Sequence, residues 1–389
     1  MTSTSCREIA QAVLEQCISG RAPERLPREL VEEPCGQALF GILVEGLADR
    51  FEPSLCDAYV RLFSQAIEGV DAGSLIARYE RVRRPRPVAG GPRRVFVLSR
   101  ITLGADVAVT SVLLAAAKQR FPNAEILFTG PQKNYELFAG DPRVHHAPVA
   151  YHRGGLSERL AVWDELQDLF AAPDSMVIDP DSRLTQLGIL PVCAEDRYYF
   201  FESRAYGGDS EATLSQLAGE WAAETLGVVE AKPYVALGTA PPSGPYIAVS
   251  FGVGENPAKR LPDPFEEELL ALLSRSGTPL YIDRGAGGEE AERVTRAAER
   301  SGVSATFWDG SFAGFASIIA GARLYVGYDS AGQHVAAACG VPLIGIFAGF
   351  PAPRMFERWR PVGEHCHVIR VDRPDAREVL ARVASHTSA

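Results

Sequence analysis

The stretch Leu324-Tyr-Val-Gly-Tyr-Asp-Ser-Ala-Gly-Gln-His-Val-Ala-Ala-Ala-Cys-Gly-Val-Pro-Leu-Ile-Gly-Ile-Phe347 decides the fold. It opens with a short apolar strand, Leu324–Val326, and passes through a small-residue loop into a helix of tiny side chains. It then stops at Gly340-Val341-Pro342 and resumes as a second buried strand, Leu343–Phe347. Ser330, Ala331 and Gly332 leave almost no side-chain bulk where the helix starts. Its free N–H groups and the positive end of its dipole therefore stay open to an anion. Ala336, Ala337 and Ala338 let the helix lie close against a sheet. Packing alone explains neither Asp329 nor His334, and a loop of this build suits a phosphate or diphosphate.

The same alternation of strand and helix extends on the N-terminal side. Tyr246–Ser250, Pro279–Asp283 and Ala305–Trp308 read as strands after a restart at Lys232-Pro233, and Val95–Ser99, Ala124–Gly130 and Ser175–Pro180 do so before it. Apolar strands alternating with helices spell parallel sheets covered on both faces. The expectation is α/β: two doubly wound domains, 95–232 and 233–389, whose strands open by their carboxyl ends onto a shared cleft. Residues 1–80 read as a helical extension, with apolar spacing over Ala38–Leu47 and Asp57–Ile67 and breaks at Pro27, Pro34 and Pro53. Residues 81–94 carry prolines, glycines and six arginines and read as a solvated linker, one that also suits contact with an anionic membrane surface.

Composition narrows the class. A chain of 389 residues has room for two domains and an appendage, and a net charge of −10 argues against a nucleic-acid partner. No run of about twenty apolar residues predicts a membrane span, and the first residues lack the basic head and apolar core of a signal peptide. Seven cysteines without a C-x-x-C pair or metal-ligand spacing predict reduced thiols in a cytoplasm, and no metal site. Lysine is scarce, confined to Lys118, Lys133, Lys232 and Lys259, so a lysine in a glycine-rich loop carries weight.

Three further loops follow strands, where the working groups of such sheets lie. Asp106, in Arg100-Ile-Thr-Leu-Gly-Ala-Asp106, either caps the helix after it or offers a carboxylate to the cleft. Gly252 and Gly254 let the backbone approach a ligand, and Lys259 and Arg260 bring two cations to the same loop. Asp283 and Gly285 begin a flexible loop of the kind that opens a nucleotide pocket, and with Phe307 and Trp308 they are candidates for a nucleobase pocket.

Residues 329–342 resemble the heptosyltransferase family of bacterial glycosyltransferases, whose pattern is Asp-Ser/Thr-Gly-x-x-His-x-Ala-Ala-Ala-x-Gly-x-Pro. Asp329, Ser330, His334, Ala336 to Ala338, Gly340 and Pro342 fall in register, while the family's glycine after Ser/Thr is Ala331, with Gly332 next. Arg100 to Thr110 is similar to the family's N-terminal Arg-x-Gly-x-x-Gly-Asp-x-x-x-Thr-x-Pro, with Ala105 for its second glycine and Val112 for its proline. The Lys259-Arg260-Leu261-Pro262 run is similar to its Lys-Arg-Trp-Pro. The resemblance covers roughly residues 93–363 and leaves the first 90 outside. It implies a GT-B fold and an inverting transfer of heptose or a related sugar from a nucleotide-diphospho sugar, most simply ADP-heptose or a similar donor, without a metal or other cofactor, as in lipopolysaccharide biosynthesis. Asp106 would be the base. Gly252, Gly254, Lys259, Arg260, Asp329, Ser330, Ala331, Gly332 and His334 would hold the donor. The acceptor is open among a sugar, a protein and a small molecule, and the N-terminal helices offer a route to a homo-oligomer. Two alternatives stay open: another GT-B nucleotide-sugar enzyme such as a hydrolysing epimerase, and a non-catalytic nucleotide-sugar-binding protein.

Overall fold

The computed structural model describes residues 3–387 except 255 and 286. Strands β1 (Arg94–Leu98), β2 (Glu125–Gly130), β3 (Val144–Pro148), β4 (Ser175–Asp179) and β5 (Tyr198–Phe200) form one parallel sheet in the order β3-β2-β1-β4-β5. Strands β6 (Ile247–Ser250), β7 (Leu280–Asp283), β8 (Ala305–Trp308), β9 (Leu324–Tyr328), β10 (Leu343–Phe347) and β11 (Cys366–Arg370) form a second, in the order β11-β10-β9-β6-β7-β8. Each sheet reverses its winding once, between β1 and β4 and between β6 and β9. Loops leaving those neighbouring strands diverge and open a crevice, the usual seat of a ligand in such sheets.

Strands β3, β5 and β11 carry weak sequence signals because each lies at a sheet edge, where one flank is free of the core. Val-His-His-Ala-Pro and Cys-His-Val-Ile-Arg are too polar to read as buried runs, and Tyr198–Phe200 is only three residues long.

The N-terminal helices are a layer of the first domain. Along β1, Val95 and Val97 face the core formed with Val112, Leu113 and Trp221. Phe96 and Leu98 face the other way, into a core shared with Phe40, Leu43, Tyr59, Phe63, Leu75 and Tyr79 of the extension. The strand's period of two thus divides one apolar run between two layers. Segment 81–94 is tied down over its first half more than a free linker would be, while Ala89 to Gly91, Arg93 and Arg94 stay exposed. Arg81 pairs with Glu195 at 2.7 Å, Arg83 with Asp57 at 2.7 Å, and Arg86 stacks 4.6 Å from the Tyr199 ring centroid. The helix from Ala72 runs through Val82, and Val88 N–H donates to Thr225 O at 2.9 Å. A second expectation also fails: Cys6 and Cys35 form a disulfide. The pair ties the first helix, Ser3–Ile18, to the turn before Gly36, and chain folding brings the two together although their spacing matches no local motif. The described helices include none long and apolar enough to cross a membrane.

Candidate donor and acceptor sites at the two switch points

At the second sheet's switch point, the loops after β6 and β9 lie side by side. The Ala331–Ala338 helix starts directly after Ser330, whose extended backbone (φ −156°) leaves the helix without a side-chain cap. Its first N–H groups are therefore not taken by a local oxygen, the condition for anion binding. Lys259 Nζ sits 2.6 Å from Asp329 Oδ2 and 3.3 Å from its carbonyl oxygen, and Gln333 Nε2 donates to Asp329 Oδ1 at 2.5 Å. Asp329 therefore fixes the lysine at the mouth of the helix, with only 17% of the Lys259 side chain and 6% of that of Asp329 exposed. Lysine, carboxylate and helix start form one unit. Gln333, one turn after Asp329, was missed, although a polar residue four positions on is a recognisable helical neighbour.

The glycines have separate reasons. A Cβ on Gly332 would collide with the Tyr325 side chain, so this glycine is needed for packing. A Cβ on Gly104, in the first domain, would lie 3.2 Å from Ala331 Cα and 3.2 Å from His334 Cδ2. Ala331, where the family pattern has a glycine, is thus received by Gly104, the neighbour of Ala105, at one inter-domain contact. Gly349 has φ +67°, and a Cβ there would strike Ala258 and the Lys259 backbone; Asn256 Nδ2 donates to Gly349 O at 3.2 Å. The loop after β10 thereby seats the lysine loop. Gly254 has φ +60° and faces open space.

Other predicted groups are engaged elsewhere. Arg260 Nε bonds Glu266 Oε1 at 2.9 Å, and its Nη2 pairs with Asp263, so it anchors the next helix, Phe265–Ser274, and leaves the crevice to Lys259. Phe307 and Trp308 point to opposite faces of β8, Phe307 against the Leu269–Ile282 core and Trp308 against the Phe315 layer, so they cannot wall one pocket together. Trp308 Nε1 donates to Ser311 O at 3.1 Å, and Gly310 and Gly314 make room for its ring. Asp283 accepts the Gly285 N–H at 3.0 Å, and burial raises its pKa. A Cβ on Gly252 would lie 2.9 Å from Glu290 Oε1, so Glu290, absent from the sequence reading, stands between the two glycine loops. His334 packs edge-on at 5.9 Å to Trp359 and borders a cavity of about 790 Å³ between the domains. Burial depresses its pKa to about 4, so at neutral pH it is an uncharged imidazole.

Asp106 is fully buried. Its Oδ1 accepts from Arg100 N–H and Thr110 Oγ1, both at 2.7 Å, and its Oδ2 from Ser99 Oγ at 2.7 Å and Asn134 Nδ2 at 2.6 Å. Burial raises its pKa, while those donors oppose the rise. The carboxylate read as a helix cap or as facing the cleft is buried and organises the loop after β1. It aims Arg100, whose Nη1 reaches Pro180 O at 2.6 Å and Ser203 Oγ at 2.7 Å and whose guanidinium lies 5.7 Å from the Trp359 ring centroid. Among the described residues no group of three or more His, Cys, Asp and Glu side chains is placed to hold a metal ion.

Two parallel switch-point sheets, with an uncapped helix start held beside a lysine in the second, make up a GT-B fold. The model of glycosyltransferase family 9 (heptosyltransferase) matches residues 215–384, a little under half of the chain, in agreement with the resemblance read in the sequence. Escherichia coli heptosyltransferase WaaC with ADP-2-deoxy-2-fluoro heptose is similar over 76% of this chain and 100% of its own, with a TM-score of 0.56 at 18% identity. Escherichia coli ADP-heptose lps heptosyltransferase II is similar over 75% of this chain and 98% of its own, with a TM-score of 0.53 at 19% identity. A family 9 glycosyltransferase from Veillonella parvula gives 0.54 at 14% identity, over 75% of this chain and 89% of its own. At these identities the likeness is one of fold. No curated protein matches the sequence.

Proposed function

We propose that the chain transfers a heptose from ADP-heptose to an acceptor hydroxyl with inversion at the anomeric carbon. The observation that carries this reading is the Lys259–Asp329 pair at the uncapped start of the Ala331–Ala338 helix. As the bond between the sugar and the diphosphate breaks, negative charge grows on the leaving oxygen. A fixed ammonium and a helix N-terminus stabilise it without reorganising. Ser330 and the N–H groups of Ala331 and Gly332 would bind the diphosphate, and Asp283 and Glu290 offer carboxylates to nucleoside hydroxyls. Neutral His334 would act as a hydrogen-bond donor rather than as a charge. The Lys259 ammonium and these amides supply the charge a divalent metal would otherwise provide, so the reading needs no cofactor. A cytoplasmic location, where sugar nucleotides are made, belongs to the same proposal.

A thermal-shift panel of ADP-, GDP-, UDP- and dTDP-sugars tests the donor. A ligand at a hundred times its dissociation constant stabilises the folded state by about 2.7 kcal/mol. The largest shift is expected with the adenine nucleotide. A larger shift with another base would replace the donor, and product masses from ADP-heptose would separate transfer, isomerisation and binding alone.

A further inference from the structure

One side chain meets both the donor helix and the N-terminal extension. Trp359 ends the helix Pro353–Trp359 of the second domain, and three groups surround its ring. The His334 ring lies edge-on at 5.9 Å, the Arg100 guanidinium 5.7 Å from the ring centroid, and the Phe51 ring edge-on at 6.3 Å. They come in turn from the second domain, the loop after β1 and the extension. Half-buried, Trp359 borders both the cavity of about 790 Å³ beside His334 and a smaller one of about 80 Å³ lined by Asp49, Arg100 and Asp181.

Phe51 reaches this ring from a strained turn. It lies between the helices Glu45–Ala48 and Pro53–Phe63 with φ +56°, a backbone region that a bulky residue keeps only where its surroundings over-determine it. Its side chain is buried. Among the described residues of the extension, Phe51 alone joins the core of the opposite layer, whereas Phe40, Leu43, Tyr59 and Phe63 fill the layer shared with Phe96 and Leu98 of β1. The turn thus directs one aromatic ring out of its own layer and against Trp359. The helix that carries Trp359 is itself pinned to the first domain. Arg358 donates to Gly208 O at 3.0 Å and to Ser210 Oγ at 3.4 Å, and Arg354 pairs with Asp209 at 3.0 Å. The His334 imidazole also meets Gly104, where a Cβ would lie 3.2 Å from its Cδ2. Gly104 and Trp359 together fix this ring, one turn into the helix whose start holds the donor.

We propose that Trp359 is a positioning residue for the donor site, and that Phe51 is the contact through which the N-terminal extension takes part in it. The inference rests on the donor reading above. The extension lies outside the family resemblance, so this contact belongs to this chain. Trp359, pressed by Phe51 and Arg100, holds the imidazole in one orientation and keeps water from it. Burial is the largest cause of the low pKa of His334, while Asp329 raises it and Lys259 lowers it further. Without the Phe51 ring, Trp359 can turn away from His334, which admits water to the imidazole and loosens the helix start that faces the diphosphate.

The test uses the full chain and ADP as the probe, with calorimetry well below the melting temperature. Trp359→Leu and Phe51→Leu, which keep apolar bulk, are each expected to weaken ADP binding by about 2- to 10-fold. Because Phe51 acts through Trp359, Phe51→Leu should add nothing to Trp359→Leu in the double variant. Histidine-selective ¹³C spectra, assigned with His334→Gln, give a second readout that needs no ligand. Wild-type His334 stays neutral between about pH 5 and 7, and in either variant it should begin to titrate in that window. Trp359→Phe keeps an aromatic ring beside the imidazole and should recover most of both effects. Wild-type ADP affinity and His334 titration in folded Phe51→Leu, even with a lowered melting temperature, would overturn the inference and leave the donor reading intact. A wild-type protein that does not bind ADP would overturn both.

Discussion

The two switch points are built from different materials, and only one is legible as a motif. At the donor side, the groups that matter are backbone N–H donors, Asp329, His334 and small residues over one short run, joined by a single lysine from the neighbouring loop. At the other, Asp49, Arg100, Asp181 and Arg204 arrive as side chains from four separate segments. A diphosphate is recognised largely through main chain, which constrains consecutive residues and leaves a pattern. A hydroxyl-bearing molecule is recognised through side chains, which can come from anywhere that folding brings together.

The strongest way to break this contrast is to remove one wall. Starting the chain at Gly91 would strip the layer from Phe96, Leu98 and Val177, exposing the apolar face of the first sheet. Loss of a cooperative melt and of soluble protein is expected, and a truncation melting near the full chain would show that the extension is not part of the domain core.

Next in size is Asp106→Asn. The amide turns an NH₂ toward two of the four donors that now meet a carboxylate. Buried groups left unmatched cost about 1–3 kcal/mol each. Chemical denaturation should therefore show a clear loss of stability. Equal stability of Asp106→Asn and wild type would remove the organising role given to Asp106.

Lys259→Ala should act on stability and on binding together, since it strands the part-buried Asp329 with Gln333 alone. Loss of a charge-assisted contact worth about 1.5–3 kcal/mol weakens ADP binding by about 10- to 100-fold. Unchanged ADP affinity by calorimetry would take Lys259 out of the donor site.

An effect that shows only on acidification concerns His334, whose folded pKa near 4 lies below its ordinary 6.5. Between these values the unfolded chain holds the proton and the folded chain does not, so stability contributed by neutral His334 is present above pH 6.5 and is lost as pH falls towards 4. The full loss approaches about 3 kcal/mol. Asp49 and Asp179, with pKa values near 6, act in the opposite sense. The comparison is therefore wild type against His334→Gln, whose stability difference should narrow on acidification. A difference independent of pH would show that His334 titrates normally.

The sequence by itself determined the parallel α/β architecture, the strands at the centre of both sheets and the anion-binding helix start. Each of these rests on local periodicity or on consecutive small residues. Only the tertiary structure decided what individual charged groups do. Arg260 turned to Glu266, Asp106 was sealed by four donors, Phe307 and Trp308 parted to opposite faces, and Cys6 met Cys35. It alone placed Asp49 in a cavity with Arg100 and Trp359. A residue's type fixes which bonds it can make, but burial and the partners brought by distant segments fix which it does make, and neither is a property of local sequence.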